Sequence, residues 1–201
     1  MNIQWASIAV TIGLAVFALL GTYFYNLHLA RRKDRLELVN RQINDFYGPL
    51  YVSCRAGTMA TAAFRRRLGQ DKVFADRSKP TDRELEVWKI WLPSVLMPAN
   101  EFRESLILKN CHLIRETEVP ECLLTFLAHT AAYKAVLKRW ELADYSEVLS
   151  VVDFPKAVEA YAAATYRELK LEQAKLLGRK IEVDAGLGNQ PAFAVKVRTS
   201  V

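Results

Sequence analysis

No aspartate, glutamate, lysine or arginine occurs before Arg31, and one apolar run from Ile3 to Tyr25 fills that gap. The missing basic start argues against a cleaved leader, which needs a basic n-region, a short apolar core and a small-residue cleavage site. Here the run is long and leaves through the bulky Tyr23-Phe24-Tyr25. The missing charge also argues against a buried helix of a soluble domain, since such helices rarely run this far without one.

Cysteine and histidine are equally sparse. Cys54, Cys111 and Cys122 are odd in number and show no C-x-x-C spacing. That fits reduced thiols packed in apolar helical surroundings in a cytoplasm better than a disulfide framework or a zinc site. No cysteine carries a signature of nucleophilic catalysis. No G-x-S-x-G, P-loop or G-x-G-x-x-G is present, and Gly186-Leu187-Gly188 stops short of the last of these. His112 and Glu116 have i, i+4 spacing, which would put two ligands on one helical face. A di-metal bundle needs paired Glu-x-x-His motifs with further carboxylates, and these are missing. His129 sits in an apolar stretch and reads as a hydrogen-bonded packing histidine. No catalytic, cofactor-binding or metal-binding residue is assigned, and no cofactor is expected.

What is present starts with the anchor. Roughly 20 apolar residues cross the hydrocarbon of a bilayer, so residues 1–30 read as one transmembrane signal-anchor helix. The basic cluster Arg31, Arg32, Lys33 and Arg35 directly follows it, which predicts an outside N-terminus and a cytoplasmic domain from Arg31 onward. Trp5, Tyr23 and Tyr25 suit the interfacial aromatic belts. Ala9, Gly13 and Gly21 share one helix face, with Phe17 between the glycines, as a stripe open to close packing. The formal net charge of +6 gathers in that cluster and in Arg65-Arg66-Arg67, a basic surface suited to anionic lipid headgroups. These clusters lack the glycines and aromatics of a nucleic-acid module.

Residues 31–178 are expected to fold as an all-α bundle of about five or six helices, with 179–201 a flexible tail. Leu36, Val39, Ile43, Phe46 and Leu50 form a seam spaced alternately by three and four. It would pack on the domain's own helices or on a partner. Pro49 predicts a kink or break, with Gly48 supplying freedom for it. Arg65 to Arg67 and Gly69 end the next helix. Gln70 to Pro80 reads as a polar loop. Thr81 and Glu84 form a capping box. Pro93 stops or bends the helix that follows, and a further helix runs from Pro98 to about Ile114. Pro120 opens the most apolar helix after the span, at its first position and at the domain's expected centre. A last helix begins near Asp153 and stops at Gly178. Lys180 to Val183 and Phe193 to Val197 alternate weakly, as short strands or as part of a mobile tail.

The strings Phe46-Tyr47-Gly48-Pro49-Leu50-Tyr51 and Pro120-Glu121-Cys122-Leu123-Leu124, the latter continued by Phe126 to His129 and Ala131 to Lys134, carry a resemblance. They resemble a group of bacterial proteins with one N-terminal span and a cytoplasmic helical domain, with no assigned activity or site residue. The resemblance implies a membrane-tethered helical domain in an accessory or stress- and phage-defence setting. The leading expectation is an interaction protein (adaptor, sensor or accessory subunit) at the inner membrane, binding a partner protein or itself. A membrane-perturbing effector that assembles through its span is the alternative. A membrane-proximal enzyme working through His112, His129 or a cysteine is a third, without motif support.

Overall fold

The computed structural model describes residues 2–69, 72–74 and 80–179, and the side chains of residues 2–10 and 12 lie outside that description. The expected strands at 180–183 and 193–197, the side chains of Trp5 and Ala9, and most of the 70–80 loop therefore fall outside the described residues. Among those described the protein is all-α. It divides into two compact units, Met1–Asn40 with Leu171–Val201, and Arg41–Lys170.

The first unit is built on α1 (Asn2–Arg41) and the end of α6 (Ala157–Leu176). Thr11 and every side chain from 13 to 26 are exposed, and the helix is long and apolar enough to cross a membrane. The last turn of α6 closes in a Schellman motif. Gly178, at φ 70°, donates to the Lys175 carbonyl, and Arg179 donates to that of Ala174. Glycine enters this left-handed conformation without a Cβ penalty, so the helix stops where the sequence predicts.

The second unit contains α2 (Gly48–Leu68), α3 (Asp82–Trp91), α4 (Met97–Asn110), α5 (Glu121–Glu141) and most of α6. Its core is aromatic. Phe64, Phe74, Trp88, Leu92, Met97, Tyr133 and Val136 are all buried and pack as one cluster. Trp88 meets Phe64 and Phe74 edge-on, with ring centroids 5.6 and 5.4 Å away, and donates its indole N–H to the Val148 carbonyl at 2.8 Å. The capping box at Thr81 and Glu84 forms in both directions and accounts for the buried Glu84 carboxylate.

The two prolines expected to break or bend helices do not break them. Gln42–Tyr47 and Leu92–Leu96 are π-helical segments, in which Gly48 N–H bonds the Ile43 carbonyl and Met97 N–H that of Leu92. The wider turn moves carbonyls away from the rings of Pro49 and Pro93, and the chain stays helical through both. Gly48 is in ordinary right-handed helical conformation, so its freedom is not what the turn uses. A Cβ there would lie 2.5 Å from the Ile43 carbonyl oxygen, and its absence makes room for the turn.

Other boundaries move by a few residues. The helix behind Pro98 ends at Asn110 and gives way to a 3-10 turn at Cys111–Leu113. Pro120 is the N-cap of α5, not its first residue, with ψ 136°. On α5 the buried face is Leu123, Phe126, His129, Thr130, Tyr133 and Val136, while Leu124 on another face is 51% exposed.

Gly48→Ala should lower unfolding stability by about 1–3 kcal/mol, the usual scale for forcing a methyl group into occupied space. Chemical denaturation of the two proteins side by side measures it, and an unchanged midpoint would show that the π turn tolerates the methyl group.

Candidate functional site

Two polar constellations stand out, one in each unit. In the first, Arg32 donates through Nε (2.8 Å) and Nη2 (2.5 Å) to the Leu176 carbonyl, one of the acceptors that the end of a helix leaves open. Arg35 pairs with Glu172 at 2.6 Å, and Gln173 donates to Asn40 Oδ1 at 2.7 Å. The final turn of α6 is thus held against α1 just past the apolar run. The guanidinium of Arg32 also meets the negative end of the α6 dipole.

Of the four basic residues that follow the span, two are therefore engaged. Arg31 and Lys33 are exposed, with no side-chain partner among the described residues. The second cluster closes α2, where Arg65 is half-buried and Arg66 and Arg67 are exposed before the Gly69 cap. In the seam, Leu36 is half-buried, whereas Val39, Ile43, Phe46 and Leu50 are all buried. Most of that seam is closed within the chain itself.

The second constellation lies in the helical unit and escaped the sequence reading. Arg103 is 3% exposed. Its Nη1 donates to Asn100 Oδ1 at 2.8 Å, its Nη2 to the Ser53 carbonyl and its Nε to Ser53 Oγ at 3.3 Å. Burial lowers its pKa. Nη2 occupies the space a Cβ on residue 57 would take, which explains Gly57 on a helix of small residues. Cys54 lies nearby, and burial pushes its thiol up to about 11, so it is an unreactive thiol at neutral pH.

A separate hydrogen-bonded relay joins two tyrosines. The Arg115 backbone N–H donates to Tyr47 Oη (3.1 Å), Tyr47 and Tyr161 share a hydrogen bond of 2.9 Å, and Tyr161 donates to Glu116 Oε2 at 2.9 Å. Because the Tyr161 proton goes to the carboxylate, Tyr47 is the donor in the middle bond. Burial raises the pKa of both phenols, and the neighbouring carboxylate raises that of Tyr161 further, so the relay stays protonated.

The expected ligand pair comes apart. His112 lies in the 3-10 turn, Glu116 beyond it in a bend, and each has its own partner: Arg41 donates to His112 Nε2 at 3.3 Å. The i, i+4 spacing has no helix to act through. Cys111 is exposed rather than packed, Cys122 is half-buried and Cys54 is buried. His129 is a packing histidine, 6% exposed, whose Nδ1–H bonds the Val152 carbonyl at 2.6 Å between Tyr133 and Phe154. Burial lowers its pKa, against smaller raising effects of Val152 and Asp153.

Comparison with known families, curated proteins and solved structures returns no match, so the functional reading rests on this geometry.

Two outcomes follow. Arg32→Ala should leave global stability almost unchanged but speed hydrogen exchange of the amides in the last turn of α6, read by mass spectrometry. Equal exchange in both proteins would show that the Arg32 contact does not hold the turn. The His129 imidazole, with a folded pKa below its unfolded value, stays neutral in the fold while the unfolded chain gains a proton. Stability should therefore fall as pH drops below about 6.5 toward the folded pKa, by at most about 1.4 kcal/mol per pH unit. Denaturation at several pH values should show that slope flattened in His129→Gln, and an identical slope would assign the effect to other groups.

Proposed function

We propose that the chain is a membrane-tethered helical interaction protein, with its N-terminus outside and its helical unit at the cytoplasmic face of the inner membrane. The observation that carries this reading is the junction at the base of the apolar helix. A run without charge, its described side chains exposed, ends in a cluster whose Arg32 and Arg35 bind the last turn of the chain's final helix. The base of the apolar helix is thereby held to the last turn of α6 by defined hydrogen bonds. A movement of either helix would be felt by the other. The remaining Arg31 and Lys33 suit anionic headgroups, each worth on the order of 1 kcal/mol near such a surface.

No chemistry is proposed for the buried polar groups. Arg103 and Tyr47 are buried and consistent with fixing helix positions, and the Cys54 thiol near Arg103 is held protonated.

The exposed Cys111 makes orientation testable in the natural chain. In intact cells a membrane-impermeant maleimide should leave it unlabelled, and opening the membrane should label it, while the protein resists alkaline carbonate extraction. Labelling in intact cells would reverse the orientation, and release by carbonate would remove the anchor. Cross-linked purification from membranes then reads the partner.

A further inference from the structure

Three contacts fix the direction in which α6 meets α1. Leu176 lies at Arg32, Glu172 at Arg35 and Gln173 at Asn40, so α6 descends in number where α1 ascends. The two helices are antiparallel there, and both stretches belong to the same compact unit. α1 leads away from the apolar run, so α6 leads back toward it. Gly178 stays alongside, since a Cβ on it would lie 3.9 Å from Arg32 Nη2. At 1.5 Å of rise per residue, Arg32 is about 10 Å past Tyr25, where the apolar run stops. The polar layer of a bilayer is about 5–8 Å deep on each side of the hydrocarbon. The end of α6 is therefore delivered to the edge of that layer, pointing into it.

The residues at that end suit the place. Lys175, Leu177 and Arg179 are all exposed, Leu177 by 43%. Among the described residues Lys175 and Arg179 have no side-chain partner, as is the case for Arg31 and Lys33 on α1. The only acids between Arg31 and Leu36 and between Glu172 and Arg179 are Asp34 and Glu172, and Arg35 holds Glu172. Helix carbonyls that would repel a phosphate are also occupied. Arg32 covers that of Leu176, and the Schellman turn uses those of Ala174 and Lys175. The chain thus neutralises the negative end of its own helix and leaves four cations facing one free carboxylate, that of Asp34.

We propose that the C-terminal end of α6 is a second membrane contact, a surface that binds the phosphates of anionic phospholipids. Lys175 and Arg179 join Arg31 and Lys33 at the headgroups, and Leu177 enters the interface beside them. The proposal rests on the tethered reading and names the lipid class that the foot of the anchor selects. Attraction to an anionic surface fades within a Debye length, about 8 Å at physiological salt. Lys175 and Arg179 therefore count only while α6 is held down, which is what Arg32 and Arg35 do.

The test uses the full-length protein in phosphatidylcholine vesicles that carry phosphatidylglycerol. A fluorophore sits on Leu177→Cys, with Cys111→Ser and Cys122→Ser removing the other accessible thiols. The label should be shielded from aqueous iodide. Brominated phosphatidylglycerol should quench it more than brominated phosphatidylcholine at equal mole fraction, and high salt should narrow that difference. Lys175→Gln/Arg179→Gln should abolish the preference, whereas the charge-conserving Lys175→Arg/Arg179→Lys should keep it. Both altered side chains are exposed, and unchanged circular dichroism separates lost lipid contact from lost folding.

A label open to iodide overturns the inference, as does equal quenching by the two brominated lipids. A preference that survives Lys175→Gln/Arg179→Gln overturns it as well, by assigning the lipid to other residues. Protein that resists alkaline carbonate with its label open to iodide keeps the tether and loses only the α6 contact. Release by carbonate removes the tether itself and the inference with it.

Discussion

Two prolines inside helical runs are the constraint the helical unit is arranged around. Pro49 and Pro93 each lack the N–H that an α-turn needs and each bring a ring against a carbonyl four residues back. The chain answers both with a π turn, bonding Gly48 to Ile43 and Met97 to Leu92. The outcome is continued helix with one extra residue in the turn, so the side chains beyond it are rotated relative to those before it. The first π segment delivers Phe46, Tyr47 and Leu50 into the core together, and the second does so for Leu92 and Met97. Neither set would follow from a straight helix or from a broken one.

The same economy governs charge. The basic excess is not a uniform coat. Arg32 and Arg35 hold the end of α6, Arg55 reaches Glu159 at 3.3 Å, and Arg103 is buried without a carboxylate pair, bound to Asn100 and to the backbone of α2. A guanidinium suits that last position because its planar fork can serve three acceptors at once and stays charged when burial works against it. Removing Arg103 would leave the Ser53 carbonyl without that donor and open a gap beside Gly57. Among the described residues, Arg31 and Lys33 in one unit and Arg66 and Arg67 in the other are basic side chains of the two clusters that no such contact engages.

Features written in local residue order could be read from the sequence. The apolar run, the capping box at Thr81, the stop at Gly178 and the Gly69 cap each depend on a few neighbouring residues, and the structure has them. Features that depend on where helices end, or on contacts across the chain, could not. The His112 and Glu116 pairing assumed a helix that stops at Asn110. Cys111 looked apolar by its neighbours yet lies on the outer side of a 3-10 turn. Phe74 sits in a polar stretch, where one aromatic makes no periodic pattern, and still it is fully buried against Trp88. Arg103 looks like any surface arginine until α2 approaches it, and Gly57 is the trace of that approach.

Which face of α2 is left over follows from the same contacts. Ser53 and Gly57 take Arg103 from α4, Tyr51 stacks on Tyr166 with centroids 5.7 Å apart, Arg55 and Thr58 reach Glu159, and Phe64 enters the aromatic core. These contacts account for the inward and lateral sides of the helix, and none involves Val52, Ala56, Met59 or Ala63. What these contacts leave exposed on α2 includes Val52, Ala56, Met59 and Ala63. The seam that the sequence singles out is therefore largely consumed by folding, because Val39, Ile43, Phe46 and Leu50 are buried within the chain itself.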